Sequence, residues 1–433
     1  KRFVAERNSE NNIFINLKCG IWVISKQVLY SLKRNINSMR AKSLSEVRDL
    51  FDPQKPLEGH ELIYYVDRGS GITERIRWNI GSGKPQRIIF PTMRGNGNTT
   101  ELNKIAEGIK NDFFVIYIDI LKTLDPMDIE YSDILLLIGF KIYEVVKERV
   151  EIYEILMKSL EDWSREVAEI IESETTGIEA GINFILKLIS KLQTEVSVRK
   201  LLRKGTERKL GDLIDIINKI IALSEEKINK NILVIVDSLD RIIVPERAID
   251  LFYWHSSALT SLNCNIIYLA SRIIQFRLEY SLIRRNYDIE IKLPNVKIFD
   301  REGNRVREGF DFMEKVALSR MERELITDEA LKYAIEKSGG VIHDFIRIIK
   351  ESAFEAHRKS RRQIEKEAIE DVTLDLRRDF LRNLKREHMD ILREVESSGE
   401  KVDDPAFTEL LHTLVILEYT NGETWYAVHP IIR

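Results

Sequence analysis

The chain has 433 residues, 44% of them hydrophobic and 32% charged, which excludes general disorder and allows a sizeable core in about two to four domains. Acids and bases nearly cancel at a formal net charge of -3, so a globally electropositive nucleic-acid binder is excluded while a local basic patch is not. Two cysteines far apart, Cys19 and Cys264, predict a reducing, cytoplasmic setting without a zinc site, and the longest apolar run, "ILLLIGF" at 134–140, is too short to span a membrane.

Residues 1–46 read as an arm or appendage, in which "GIWVISKQVLYSLKR" suits a helix; no signal-peptide pattern opens the chain. An extended, proline-bearing lead-in follows, broken at Gly69-Ser70-Gly71 before a short helix. Five short runs rich in β-branched and aromatic residues then read as strands: 87–90, 113–120, 232–237, 265–270 and 288–293. Several lack polar alternation, which suits strands covered by helices on both faces, so the fold class is α/β with a largely parallel sheet. The gap from 121 to 231 exceeds one crossover. Its apolar residues recur every three or four positions, predicting a helical insertion with breaks near Thr175–Gly181 and at Gly205. The core is thus expected over 47–300. A helical lid over 301–384 has a stop and restart at Gly339-Gly340. In the tail, 385–433, two helical segments precede alternating apolar runs around Asn421-Gly422, the pattern of a winged helix.

Between the first strand and the next helix lies "PTMRGNGNTTELNKIAEG". A phosphate cradle needs a flexible turn whose N–H groups wrap the anion, followed by a helix N-terminus. Arg94, Gly95, Asn96 and Gly97 supply the turn, Thr99 a hydroxyl for Mg²⁺, and Thr100 the helix start. The lysine of G-x-x-x-x-G-K-[ST] is Asn98 here, a loss worth about 1.5–3 kcal/mol of charge-assisted hydrogen bonding and more in hydrolysis. A Gly/Asn turn without ligand is the competing reading. "GSGK" at 81–84 precedes the strand, which places Lys84 wrongly for a cradle. "NILVIVDSLDRI" ends a buried strand in Asp237, where a carboxylate serves Mg²⁺, with Asp240 as the candidate to polarise water. The alternative is a capped strand-to-helix turn. The strand at 113–120 is expected to separate loop and aspartate.

Together, "YVDR", the loop, "ILVIVDSLDRI", "NCNIIYLAS" and "SGGVIHDFIRII" resemble the AAA+/STAND P-loop ATPases of prokaryotes, nearest their origin-recognition-like branch with a C-terminal winged helix. The resemblance covers about residues 47–433 and implies an ATP- or ADP-dependent switch, often oligomeric. By that resemblance Gly95, Gly97, Asn98, Thr99 and Thr100 hold phosphates and metal. Asp237 serves Mg²⁺, Asp240 the attacking water, and Asp67-Arg68 the adenine. Ser271 or Arg272 falls near a sensor position, and Arg284-Arg285 are candidate trans-acting fingers. His343 stands where relatives keep a sensor arginine, with Arg347 one turn later as its substitute.

Two cations aimed at the terminal phosphate are therefore missing, which predicts a nucleotide-binding switch with weak hydrolysis. The rival readings are a DNA-handling ATPase of the initiator or transposition-regulator type and a scaffold binding no nucleotide. The recognition segment "DPAFTELLHTLVIL" carries no lysine or arginine, so a packing or partner-docking tail is expected over a DNA reader. A protein partner on the insertion or the tail and a homo-oligomer are the expected associations, with no membrane contact.

Overall fold

The computed structural model describes residues 12–17, 20–25, 39–149, 151, 154–172, 182–192, 194–242 and 244–433. A two-stranded antiparallel hairpin comes first, β1 (Asn12–Leu17) and β2 (Gly20–Ser25). The helix expected from residue 20 onward is thus a strand at its start. Ile21, Trp22, Val23 and Ile24 have the β-branched and aromatic side chains that favour the pleated state.

The five predicted strands form one parallel sheet: β3 (Arg87–Thr92), β4 (Phe114–Asp119), β5 (Ile232–Asp237), β6 (Asn265–Ser271) and the short β7 (Ile289–Glu290). Their order is β4-β5-β6-β3-β7. This corrects one expectation. The strand at 114–119 pairs only with β5, at the sheet's edge, and β6 lies between the loop strand β3 and the aspartate strand β5. Sequence order does not reveal which strand is central.

Side chains alternate between the sheet's two faces. Ile88, Phe90, Leu233, Ile235, Ile267 and Leu269 pack with α2 (Ile72–Ile80) and α3 (Asn98–Ile109), which contribute Ile76, Leu102 and Ile105. Ile89, Val234, Val236, Ile266 and Tyr268 face the insertion. That insertion holds α4 (Tyr131–Lys147), α5 (Glu154–Glu172), α6 (Ile182–Ile189), α7 (Val196–Arg208) and α8 (Leu210–Ile228). Gly205 does not break it. It lies inside α7, where an added Cβ would come within 2.9 Å of Val167 Cγ1, so this glycine permits close helix crossing rather than a stop. The break expected at 175–181 lies outside the described residues.

The lid is built of α9 (Arg307–Leu318), α10 (Asp328–Ser338), α11 (Ile342–Arg358) and α12 (Lys366–Arg382). Gly339 and Gly340 both hold positive φ, at 59° and 78°, and stop α10 before α11 restarts. The lead-in helix α1 (Leu44–Leu50) joins the lid's core through Leu44 and Val47 rather than the sheet's. The expected boundary at 46/47 therefore falls inside α1. The tail has the elements of a winged helix: α13 (Arg386–Ser398), α14 (Pro405–His412), then an antiparallel hairpin of β8 (Ile416–Asn421) and β9 (Glu423–Val428) turning at Gly422. The fold class is thus as expected, an α/β protein with a five-stranded parallel sheet, a helical insertion and a helical C-terminal part, and its closing helices and hairpin are compatible with a winged helix. Among the described residues no helix is long and apolar enough to cross a membrane.

Candidate functional site

The strand order reverses at β3, since the chain leaves it for the far edge at β4 before filling the centre. In such sheets the crevice beyond the strands' C-terminal ends is the place for a ligand. The β3-to-α3 loop lies there. Gly95 and Gly97 take φ of 80° and 76°, which only glycine adopts without cost. A Cβ on Gly95 would meet Val341 Cγ1 at 3.0 Å, His343 Cβ at 3.3 Å and Leu414 Cδ1 at 3.4 Å, so lid and tail both close on this turn.

The loop's carbonyls are engaged. Asn98 Nδ2 donates to Met93 O at 2.8 Å, the His343 N–H donates to Gly95 O at 2.9 Å, and Arg68 Nη2 donates to Asn96 O. The main-chain N–H groups from Gly95 through Thr100 have no acceptor among the described residues; the first helical bond is Glu101 N–H to Gly97 O. Unengaged donors at a helix N-terminus are what a phosphate group satisfies.

Asp237 ends β5 across from this turn and is 1% exposed. Burial raises its pKa, outweighing three donors: Tyr117 Oη to Oδ2 at 2.5 Å, the Thr99 hydroxyl, and the Ser238 N–H to Oδ1 at 2.6 Å. The loop's Thr99 hydroxyl therefore lies near the acid that ends β5, one strand removed from β3 in the sheet. Ser238 sits at φ 73°, a costly conformation for a residue with a Cβ, and its Oγ donates to Asp119 Oδ1 at 2.8 Å. Asp240, also buried, is pushed up to about 6 by burial and then by Asp237. No cluster of three or more His, Cys, Asp or Glu able to hold a metal exists among the described residues. Magnesium in phosphate sites takes one or two protein oxygens and completes its shell with phosphate and water, so the pair Thr99 and Asp237 fits it.

A cleft of about 190 Å³ runs from this loop toward the lid. Arg94, Gly95, Gly97, Asn98, Thr99 and Thr100 line one end, with Asp240. Leu50, Pro53, Leu57, Ile342 and Ile346 give the cleft an apolar lining beside Tyr64 and Arg320, and the Leu57 N–H reaches back to Thr100 Oγ1 at 3.0 Å. A second cavity of about 20 Å³, the size of a single water, lies behind the loop between Thr92, Ser271 and the tail's His412.

The other predicted residues fall as follows. His343 lines the cleft, its Nδ1 3.1 Å from Asp344 Oδ1. Arg347 lines a different groove, with Glu351 and Phe354. Asp67 accepts from the Gly69 N–H at 2.8 Å and shapes a turn, while Arg68 braces the loop from outside. Ser271 backs the small cavity. Arg272 is ion-paired with Glu418 of β8, both nearly buried. Arg284 pairs with Glu290 at 3.1 Å. Sequence patterns do not reveal Tyr117, Arg241, Arg320, Tyr64 or Glu418. Apart from Arg241, which directly follows Asp240, each comes to the site from a segment distant in the chain.

No protein-family model matches the chain, and no curated protein sequence matches it. Solved structures do. The Walker-type ATPase paby2304 of Pyrococcus abyssi is 16% identical at a TM-score of 0.45, covering 88% of this chain and 98% of that one. The Aeropyrum pernix ORC2 protein, solved in ADPNP–ADP complexes, is 13% identical at 0.44, covering 89% and 95%. Cdc6p from Pyrobaculum aerophilum is 11% identical at 0.42, covering 88% and 94%. At such identities and scores these are likenesses of shape, and the site stands on its own geometry.

Proposed function

We propose that the chain is an AAA+/STAND-like, nucleotide-dependent switch that takes ATP or ADP with Mg²⁺ between sheet and lid and hydrolyses ATP slowly, in the cytoplasm. One observation carries the reading: the main-chain N–H groups of Gly95–Thr100 are unengaged in a loop that lines the cleft, and Thr99 of that loop lies near the Asp237 carboxyl. The amides would cradle the phosphates, Thr99 and Asp237 would hold the metal, and the cleft's apolar lining would take the base. A bound Mg²⁺ supplies charge neutralisation at the terminal phosphates. Arg68 and the His343 N–H hold the loop's carbonyls away from the anion. Asp240 would position water, and its raised pKa suits a group that exchanges a proton near neutrality.

Slow turnover follows from the residues present: Asn98 and His343 stand where cations are expected. The switch follows from the tail. Met93 belongs to the tail's apolar core, Leu414 lies on Gly95, and Arg272 is tied to Glu418, so phosphate loop and tail share one seat. Thr408, Leu411 and His412 of α14 face the loop's back, which disfavours DNA reading while the tail is docked. Partners would be protein, through the insertion or an undocked tail, or further copies of the chain.

Ligand-induced stabilisation tests this. Millimolar Mg-ATP or Mg-ADP raises Tm by several degrees, and Asp237→Ala removes most of the rise. An unchanged Tm with either nucleotide contradicts the reading.

A further inference from the structure

The loop lacks its lysine, and the residue in that place does not compensate. Asn98 is 6% exposed; its Nδ2 donates to Met93 O at 2.8 Å inside the loop, and its side chain also hydrogen-bonds toward Asp240. Backbone amides carry only partial charge, so a di- or triphosphate still calls for a full cation.

Five basic side chains line the cleft. Lys55 is paired with Glu61 at 2.5 Å. His343 is turned to Asp344. Arg320, 8% exposed, gives its Nη1 to Val316 O at 2.8 Å and to the Ser319 hydroxyl at 3.2 Å. Arg241 is exposed at the mouth. Arg94 belongs to the loop itself, is half-buried, lines both the cleft and the small cavity behind the loop, and forms no ion pair or hydrogen bond through its side chain with any described residue. Burial lowers its pKa, and Arg241 lowers it further by repulsion. Asp240 is the acid near it, and burial disfavours that acid's charged form. Two guanidinium groups thus share one nearby acid, Asp240, with which neither forms an ion pair.

We propose that Arg94 supplies the charge of the missing lysine, its forked N–H donors taking the terminal phosphate of a nucleoside di- or triphosphate, with Arg241 as the outer cation. An arginine fork binds two phosphate oxygens at once, which a lysine cannot. The site then selects di- and triphosphates over monophosphates through a residue one position into the loop rather than at its end. This rests on the nucleotide reading above.

The test is calorimetric titration of the full chain with Mg-ADP, AMP and tripolyphosphate. The wild-type chain binds Mg-ADP at least about tenfold more tightly than AMP. Arg94→Met weakens Mg-ADP and tripolyphosphate by about 10- to 150-fold, leaves AMP within about threefold, and costs more than Asn98→Ala. Arg94→Gln gives the same result should Arg94→Met fail to fold, and Arg94→Lys recovers part of the loss. Mg-ADP affinity that survives both Arg94 variants, or an Asn98→Ala loss as large as theirs, overturns the assignment and leaves the nucleotide site standing. A wild-type chain that binds none of the three ligands overturns the nucleotide reading and this inference with it.

Discussion

Asp240 shows how a single buried group sets a measurable pH dependence. Its carboxyl is raised from 3.8 to about 6 because burial and Asp237 oppose its charge. The folded state therefore holds the proton more tightly than the unfolded state. The stability this contributes is complete below pH 3.8 and is lost as pH rises through about 6. Above that, the buried carboxylate costs on the order of 3 kcal/mol. Asp240→Asn carries no such cost, so it raises the Tm of the nucleotide-free protein at pH 8 and raises it less at pH 5. A gain equal at both pH values shows that the carboxyl titrates normally. At this scale the sequence was informative about the loop and about Asp237, because a phosphate turn and a strand-end acid are local patterns. It was silent on Tyr117, which donates to Asp237 from the adjacent strand, because register between strands is not written in either strand alone.

At the scale of elements, the joint between sheet and tail is the Arg272–Glu418 pair. Arg272 follows β6 and Glu418 stands on β8; their side chains are 12% and 4% exposed. Removing one partner leaves a buried charge alone, so Glu418→Ala destabilises the folded chain by about 3–5 kcal/mol, measured by urea unfolding. The double variant Arg272→Met, Glu418→Met recovers most of that loss, because two apolar side chains leave no orphaned charge. A loss below about 1 kcal/mol for Glu418→Ala shows instead that the pair is solvated and the joint loose. The strands, the lid's glycine stop and the tail hairpin were legible because period-two runs and Gly punctuation are local signals. Gly205 was misleading: a glycine in a helical pattern reads as a stop, and only the crossing helix, through Val167, explains it. The order of strands in the sheet was likewise hidden, since β6 is late in the chain and central in space.

For the whole molecule, the apolar core of the tail reaches Met93 at the base of the loop, and lid and tail meet around Asp344, whose carboxyl lies 3.1 Å from His343 Nδ1 and 3.2 Å from His429 Nε2. Burial alone would raise the Asp344 pKa, yet the two histidines hold it well below the usual carboxylate range. The β3-to-α3 loop, the lid and the tail are thus packed into one continuous assembly. The central claim is that the Gly95–Thr100 amides enclose the phosphates opposite Asp237. A crystal structure of the full chain grown with Mg-ADP tests it most directly. Phosphate oxygens are expected within about 2.7–3.2 Å of those N–H groups, with the metal between Thr99 and Asp237. ADP bound elsewhere, or absent from crystals grown at millimolar nucleotide with the loop unobstructed, would contradict it.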